Sequence, residues 1–385
     1  MKPLLMLSVL HFPKYLKHLN MSTLKSNSMK LRHITYAQAI NEALDLALEI
    51  DPNVLCFGLG VPDPKGVFET TTGLLEKYGT ARVFDTPLSE NAMTGICIGA
   101  SLSGFRPILV HQRIDFALLS MDQIVNNAAK WHYMFGSQNT VPMVIRVIVG
   151  RGWGQGPQHS QSLQSLFGHI PGLKVVMPVF PFDAKGLLTS AIQDPNPVIY
   201  IEHRWLHSIE ARVPEEQYLV ALDQAEIVRA GADVTIVAMS YMVPEALKCA
   251  TTLQTIGIDA EVIDLRSIAP IDAETIFNSV RKTGRLVVAD SSHSMFSVSS
   301  EIVALVTERQ MSDLKAAPKR VSCPPYPSPS SPFLADTYYP DAAKIAAASL
   351  ECFEHDFGKA GDQLISSLAR PKPRDVPDLA YSGPF

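Results

Sequence analysis

The strongest constraint in this sequence is a rhythm. From residue 35 onward, short apolar runs rich in β-branched residues alternate with longer stretches of helical period, the pattern of a parallel sheet covered by helices. Strands buried on both faces read as nearly continuous apolar runs. Val54 to Val61, Ala81 to Asp85, Arg106 to Gln112, Val141 to Gly150, Leu173 to Pro178 and Pro197 to His203 read as the strands of one such sheet. After the charged stretch Arg204 to Gln217 the alternation restarts, with strands expected at Val234 to Ser240, Ala260 to Arg266 and Arg285 to Asp290. The expected fold is α/β, with two parallel-sheet, three-layer domains over residues 29–210 and 218–355. Residues 1–28 read as an extension and 356–385 as an irregular tail. A chain of 385 residues, 46% of them apolar, has the material for two cores of ordinary size.

Two helices are marked by their own residues. Thr86 is placed to cap a helix whose first residue is Pro87, and Met93, Ile96, Cys97 and Ala100 recur on one face until Gly104. Gly95 and Gly99 keep another backbone's approach open, which points to a tight interior or subunit contact. A second helix is expected from about Phe116 to Met134, with Met121, Ile124, Val125 and Ala128 facing inward. The run Val321 to Pro332 contains Pro324, Pro325, Pro327, Pro329 and Pro332, so it must be extended and is expected to wrap a surface. The prolines after Arg370 suggest an irregular arm.

Charge and cysteine usage narrow the function classes. Net charge is −5 and the basic residues are scattered, which leaves no electrostatic footprint for nucleic acid. Small metabolites and protein partners remain. Cys56, Cys97, Cys249, Cys323 and Cys352 are odd in number, far apart and without a Cys-x-x-Cys pair. They argue against a disulfide framework or structural zinc and for a reducing compartment. No apolar run approaches the roughly 20 residues that cross a bilayer, so no membrane contact is expected. The first 30 residues carry Lys2, Lys14, Lys17, Lys25 and Lys30 and no acid. They read as a disordered extension or a mis-set start before Met21 or Met29, as a transit peptide, or as a short-cored secretory signal. The expected location is the cytoplasm, or the mitochondrial matrix if residues 1–28 are a transit peptide.

Several catalytic motifs are missing: there is no phosphate loop, dinucleotide fingerprint, nucleophile elbow or His-Glu-x-x-His. Two constellations stand out. In Asp85-Thr86-Pro87-Leu88-Ser89-Glu90 a strand hands over to a helix with a carboxylate in its first turn. Glu90 there either complements the positive end of the helix, worth about 0.3–1 kcal/mol, or faces a ligand at the strand ends of a parallel sheet. In Gly150-Arg-Gly-Trp-Gly-Gln-Gly-Pro-Gln-His-Ser-Gln161 a glycine-rich loop follows a strand directly. It reads as a surface loop with a solvated His159 or as a backbone that approaches something closely.

Both constellations, with Gly-Ile-Cys-Ile-Gly-Ala, Gly104-Phe-Arg-Pro107, His169 to Pro178, Asp194-Pro-Asn-Pro197, Asp264 to Pro270 and Gly284 to Asp290 in order, resemble one family. It is that of the beta subunits of thiamine-diphosphate-dependent 2-oxo acid dehydrogenases of the pyruvate and branched-chain type, in the transketolase-like superfamily. The resemblance spans about residues 30–350. It implies oxidative decarboxylation of a 2-oxo acid with acyl transfer to a lipoyl arm on a partner acyltransferase. It also implies that Glu90 hydrogen-bonds the aminopyrimidine of thiamine diphosphate and promotes loss of the thiazolium proton. Phe116 would pack on that ring, a core Phe at a helix start being the alternative; Leu88 and Gln158 would join the cofactor site. His159 would donate a proton or stabilise charge near the substrate. A structural potassium ion would lie near Met143, Ala191, Ile192, Asp194 and Asn196, held mostly by backbone oxygens.

The chain lacks Gly-Asp-Gly followed by Asn-Asn, the superfamily's diphosphate and Mg²⁺ site, so a partner alpha chain must supply it in an alpha2-beta2 assembly. Two departures bear on the substrate. His111-Gln-Arg-Ile-Asp115 replaces an acidic and aromatic segment, placing Arg113 and Asp115 near the cofactor aromatic, and Trp153 makes the glycine-rich loop bulkier. The alternatives are a split transketolase- or synthase-type enzyme without a lipoyl partner, and a noncatalytic paralogue.

Overall fold

The structure is a computed structural model that describes residues 30–151, 154–369 and 376. The expectations for residues 1–28, for Trp153 and for the arm after Arg370, Val376 apart, lie outside the described residues.

The first half of the chain carries β1 (Leu31–Thr35), β2 (Val54–Gly58), β3 (Val83–Phe84), β4 (Arg106–His111), β5 (Val144–Val149), β6 (Lys174–Val176), β7 (Val198–His203) and β8 (Glu210–Pro214). The second carries β9 (Glu226–Arg229), β10 (Val234–Ala238), β11 (Ala260–Asp264), β12 (Ser267–Ala269), β13 (Leu286–His293) and β14 (Lys319–Cys323). The larger sheet has seven strands in the order β12-β6-β7-β5-β4-β2-β3, parallel throughout except for β12 against β6. The smaller has five, β14-β13-β10-β11-β9, with only β9 antiparallel. Every residue of β5, β7, β10 and β11 is buried, which is why these strands read as predominantly apolar runs, although β5, β7 and β11 also bury Arg146, Glu202 and Asp264.

Helices cover the sheets by their apolar faces. Tyr36–Ile50 opens with a capping box between Thr35 and Gln38 and buries Ala39, Ile40, Ala43, Leu44, Ala47 and Leu48. It lies against Pro181–Gln193, where Pro181 occupies the first turn. The two main apolar clusters each draw residues from both sheets, Val54 with Val234 in one and Leu109 with Val237 in the other. The halves therefore share a continuous interior.

Five local expectations are corrected. The helix expected to start at Pro87 starts at Glu90, with Ser89 at the cap in place of Thr86, because Asp85 Oδ1 accepts from Gly60 N at 3.1 Å and Thr86 N at 2.8 Å and pins the connection to the end of β2. The expected helix Phe116 to Met134 is a succession: Ile114–Ala117 is α, Leu118–Ser120 is 3-10, Gln123–Ala128 is a π turn and Ala129–Met134 is α again. Within the charged stretch 204–217, β8 pairs antiparallel with β1; its buried Ala211 and Val213 alternate with exposed Glu210 and Arg212, so no apolar run announces it. Ser267–Ala269, which the chain order places in the second domain, adds to the first domain's sheet beside β6. Gly358–Ser367 is a helix that buries Gly361 and Leu364, where an irregular tail is expected.

Candidate active site

The C-terminal ends of β2, β3 and β4 lie side by side, and they open a cleft where parallel sheets bind their ligands. At its floor Gly58 (φ +153°) lies so close to β4 that a Cβ would collide with Val110 O. On one side the connection after β3 turns tightly, with Ser89 N donating to Pro87 O at 2.8 Å, and delivers Glu90 as the first helical residue. On the other side β4 ends at His111, and the short helix Ile114–Ala117 presents Phe116. The cleft is lined by Leu88, Glu90, Met93, Leu109, His111 and Phe116 among others. Glu90 is half-buried and Leu88 is 75% exposed.

His159 arrives from the glycine-rich loop after β5 and packs edge-on against Phe116, ring centroids 5.7 Å apart. The sites inferred at Glu90, Leu88, Phe116 and His159 are thus brought to one place. Gln158 is exposed and is not part of the cleft wall.

The departures at Arg113 and Asp115 turn out to stitch this loop to the cleft. Arg113 donates to Gln155 Oε1 and, at 3.2 Å, to Gly150 O; Gln161 Nε2 donates to Asp115 Oδ1 at 2.7 Å. Burial pushes the Asp115 carboxyl up, and the Gln161 hydrogen bond opposes it. His111 is 6% exposed, its Nε2 has no hydrogen-bond partner, and burial pushes it down to about 4. The cleft wall therefore holds a neutral imidazole at neutral pH. Sequence reading marked His111 only as part of an unusual segment; its position at the last residue of a central strand was the signal.

The residues fit the aminopyrimidine half of thiamine diphosphate: a carboxylate at a helix start, aliphatic walls and an aromatic ring on one cleft. At the expected potassium position the backbone oxygens have other partners. Arg106 Nη1 donates to Ile192 O at 2.9 Å and to Asp194 O at 3.3 Å. Met143 O accepts from Val198 N at 3.0 Å, Ala191 O from Asp194 N at 3.3 Å, and the Asp194 carboxylate pairs with Lys174 and accepts from Asn196 N.

Comparison with known proteins places this geometry. The transketolase pyrimidine-binding domain matches residues 32–208 and the transketolase C-terminal domain matches 223–345. The acetoin:2,6-dichlorophenolindophenol oxidoreductase subunit beta of Cupriavidus necator is 46% identical, covering 83% of this chain and 97% of its own. The pyruvate dehydrogenase E1 component subunit beta of Bacillus subtilis is 41% identical over 76% of this chain and 91% of its own. Among solved structures, a split-gene transketolase described as an inactive beta4 tetramer superposes with a TM-score of 0.68 at 22% identity, over 88% of this chain and all of that one. That last likeness concerns the fold. The chain belongs to the transketolase-like family and, within it, to the beta subunits of thiamine-diphosphate-dependent dehydrogenases.

Proposed function

We propose that this chain is the cofactor-activating half of a dehydrogenase that decarboxylates a 2-oxo acid and passes the acyl group to a lipoyl arm. The observation that carries the reading is the meeting of Glu90, Phe116 and His159 at one set of strand ends. Bound thiamine diphosphate supplies a carbon nucleophile and an electron sink. Glu90 would hold the aminopyrimidine nitrogen by a hydrogen bond, with Phe116 packed on that ring and Leu88 flanking it, while the exposed Gln158 lies outside the cleft wall. His159 moves a proton at the substrate side, a task suited to imidazole. An alpha chain brings the diphosphate and Mg²⁺ site, a second beta chain completes alpha2-beta2, and the lipoyl disulfide takes up the electrons with the acyl group. Five buried, unpaired cysteines suit a reducing compartment such as the cytoplasm. The reading leaves room for at most a weakly held potassium ion at Met143, Ala191, Ile192, Asp194 and Asn196, because Arg106 already donates to the Ile192 and Asp194 carbonyl oxygens.

A second reading has its own support: relatives 46% and 41% identical are named for acetoin, and Arg113 and Asp115 stand beside the cleft. Acetoin cleavage would use the same residues on a ketone without a carboxylate. The deciding experiment co-expresses the chain with its alpha partner and follows 2,6-dichlorophenolindophenol reduction with pyruvate, branched-chain 2-oxo acids and acetoin. Thiamine-dependent reduction with a 2-oxo acid is expected, and acetoin alone supporting it would select the second reading. No reduction with any of them would overturn both.

A further inference from the structure

The loop that carries His159 is held from the far half of the chain. Arg151 is 5% exposed. Its guanidinium lies 4.0 Å from the Tyr339 ring centre, 4.6 Å from Trp205 and 5.8 Å from Tyr241, a cation enclosed by aromatic faces. Trp205 follows β7 in the first half, whereas Tyr241 and Tyr339 belong to the second. Further along the loop, Gly156 (φ +66°) is placed so that a Cβ would collide with Ser330 Oγ, and a Cβ on Gly154 would meet Ser330 O at 3.4 Å. Ser328 Oγ donates to Ser160 O at 3.3 Å. Ser328 and Ser330 lie in the proline-rich run after β14. That run is itself fixed: His293 Nδ1 donates to Pro324 O at 2.8 Å and the Tyr338 hydroxyl to Tyr326 O at 2.9 Å.

We propose that the proline-rich strap 323–332, together with the aromatic box around Arg151, is the positioning device that holds His159 against Phe116. The strap residues touch neither cofactor nor substrate; they act through the loop. Prolines suit the task, since a chain with fixed φ loses little entropy when it is laid down as a brace. Glycines on the facing loop let the two backbones come close. A loop pinned at Arg151, Gly156 and Ser160 leaves His159 little room to wander, and a displacement of about 1 Å at a reacting group can cost on the order of 100-fold in rate. The inference rests on the role given to His159 above.

Hydrogen–deuterium exchange on the full-length chain tests it without turnover. Arg151→Met keeps the volume and removes the charge; Tyr339→Leu removes the nearest ring; Arg151→Lys restores a cation. Exchange at residues 154–161 should quicken at least tenfold in the first two and return toward normal in the third, with β5 and the helix Met242–Leu253 unchanged. In the co-expressed holoenzyme, kcat should fall about tenfold while the KM for thiamine diphosphate stays within twofold, because Glu90 and Phe116 are untouched. Unchanged loop exchange in both loosening variants would overturn the proposal, as would acceleration spread evenly through β5 and that helix, or a loosened loop with full kcat. If instead Glu90→Gln retained full turnover while the exchange result held, the functional reading would fall and the brace would stand.

Discussion

Glu90 begins its helix, and its carboxylate shares one cleft with Phe116. Glu90→Gln keeps the shape but replaces the carboxyl with an amide that cannot exchange a proton with the cofactor ring. Turnover of the holoenzyme should drop by at least about 100-fold, the scale of acid–base catalysis, with Tm within about 2 °C of wild type; near-normal turnover would remove Glu90 from the chemistry. Asp264, which is not among the cleft-lining residues, is fully buried, and burial pushes it up to about 8, with Arg266 pulling it down and Asp183 and Glu226 pushing it up. One of its oxygens accepts from Arg266 N at 3.1 Å; the other has no partner. An unfolded aspartate ionises near 3.9, so between about pH 4 and pH 8 the folded state binds more protons than the unfolded one and stability falls as pH rises. Asp264→Asn should therefore raise Tm at pH 8 and lose that advantage toward pH 4; a lower Tm at pH 8 would refute the assignment. Glu90 stood out at a strand-to-helix handover and His159 in a glycine-rich loop after a strand, whereas Phe116 was picked out only by the family resemblance. Arg151 was not legible, since nothing along the chain says that Tyr339 would come to lie over it.

Among the elements, β5 shows what an apolar run can hide. Val-Ile-Arg-Val-Ile-Val reads as a core strand, and Arg146 within it is fully buried. Its Nη2 lies 2.6 Å from Glu202 Oε1 of neighbouring β7 and 2.9 Å from Thr70 Oγ1, while His207 Nε2 is 3.1 Å from the other Glu202 oxygen. Burial alone would push Glu202 up, yet Arg146 and His207 hold it below the usual carboxylate range. Glu202→Leu would strand the guanidinium and should cost about 3–5 kcal/mol, read from urea unfolding of the purified chain; a loss under about 1 kcal/mol would show that Arg146 finds other partners. Period-based reading caught the strands buried on both faces and missed β8, where exposed charges cover a two-residue alternation. It also read 116–134 as one helix, because a π turn inserts its extra residue without disturbing which side chains are apolar.

At the scale of the whole molecule, the sequence lacks the Gly-Asp-Gly followed by Asn-Asn that would hold the diphosphate, its Asn126-Asn127 having no Gly-Asp-Gly upstream, so the reading makes this chain alone half an active site. The expected potassium site bears on its stability. With Arg106 already on two of the oxygens, exchanging K⁺ for Na⁺ should move Tm by less than about 2 °C. A tightly held ion would contribute about 2.7 kcal/mol at a hundredfold excess over its Kd, and a rise of about 5 °C in K⁺ would establish the ion after all.

The pairing of β12 with β6 sets an order of events during synthesis. When the first half has left the ribosome, β6 still offers a bare edge, and its cover, Ser267–Ala269, emerges only after β9, β10 and β11. The first sheet cannot be finished before most of the second has been made. Until then the nascent chain carries an unpaired strand edge of the kind that recruits chaperones or neighbouring chains, and a gene cut between the halves would leave that edge open permanently.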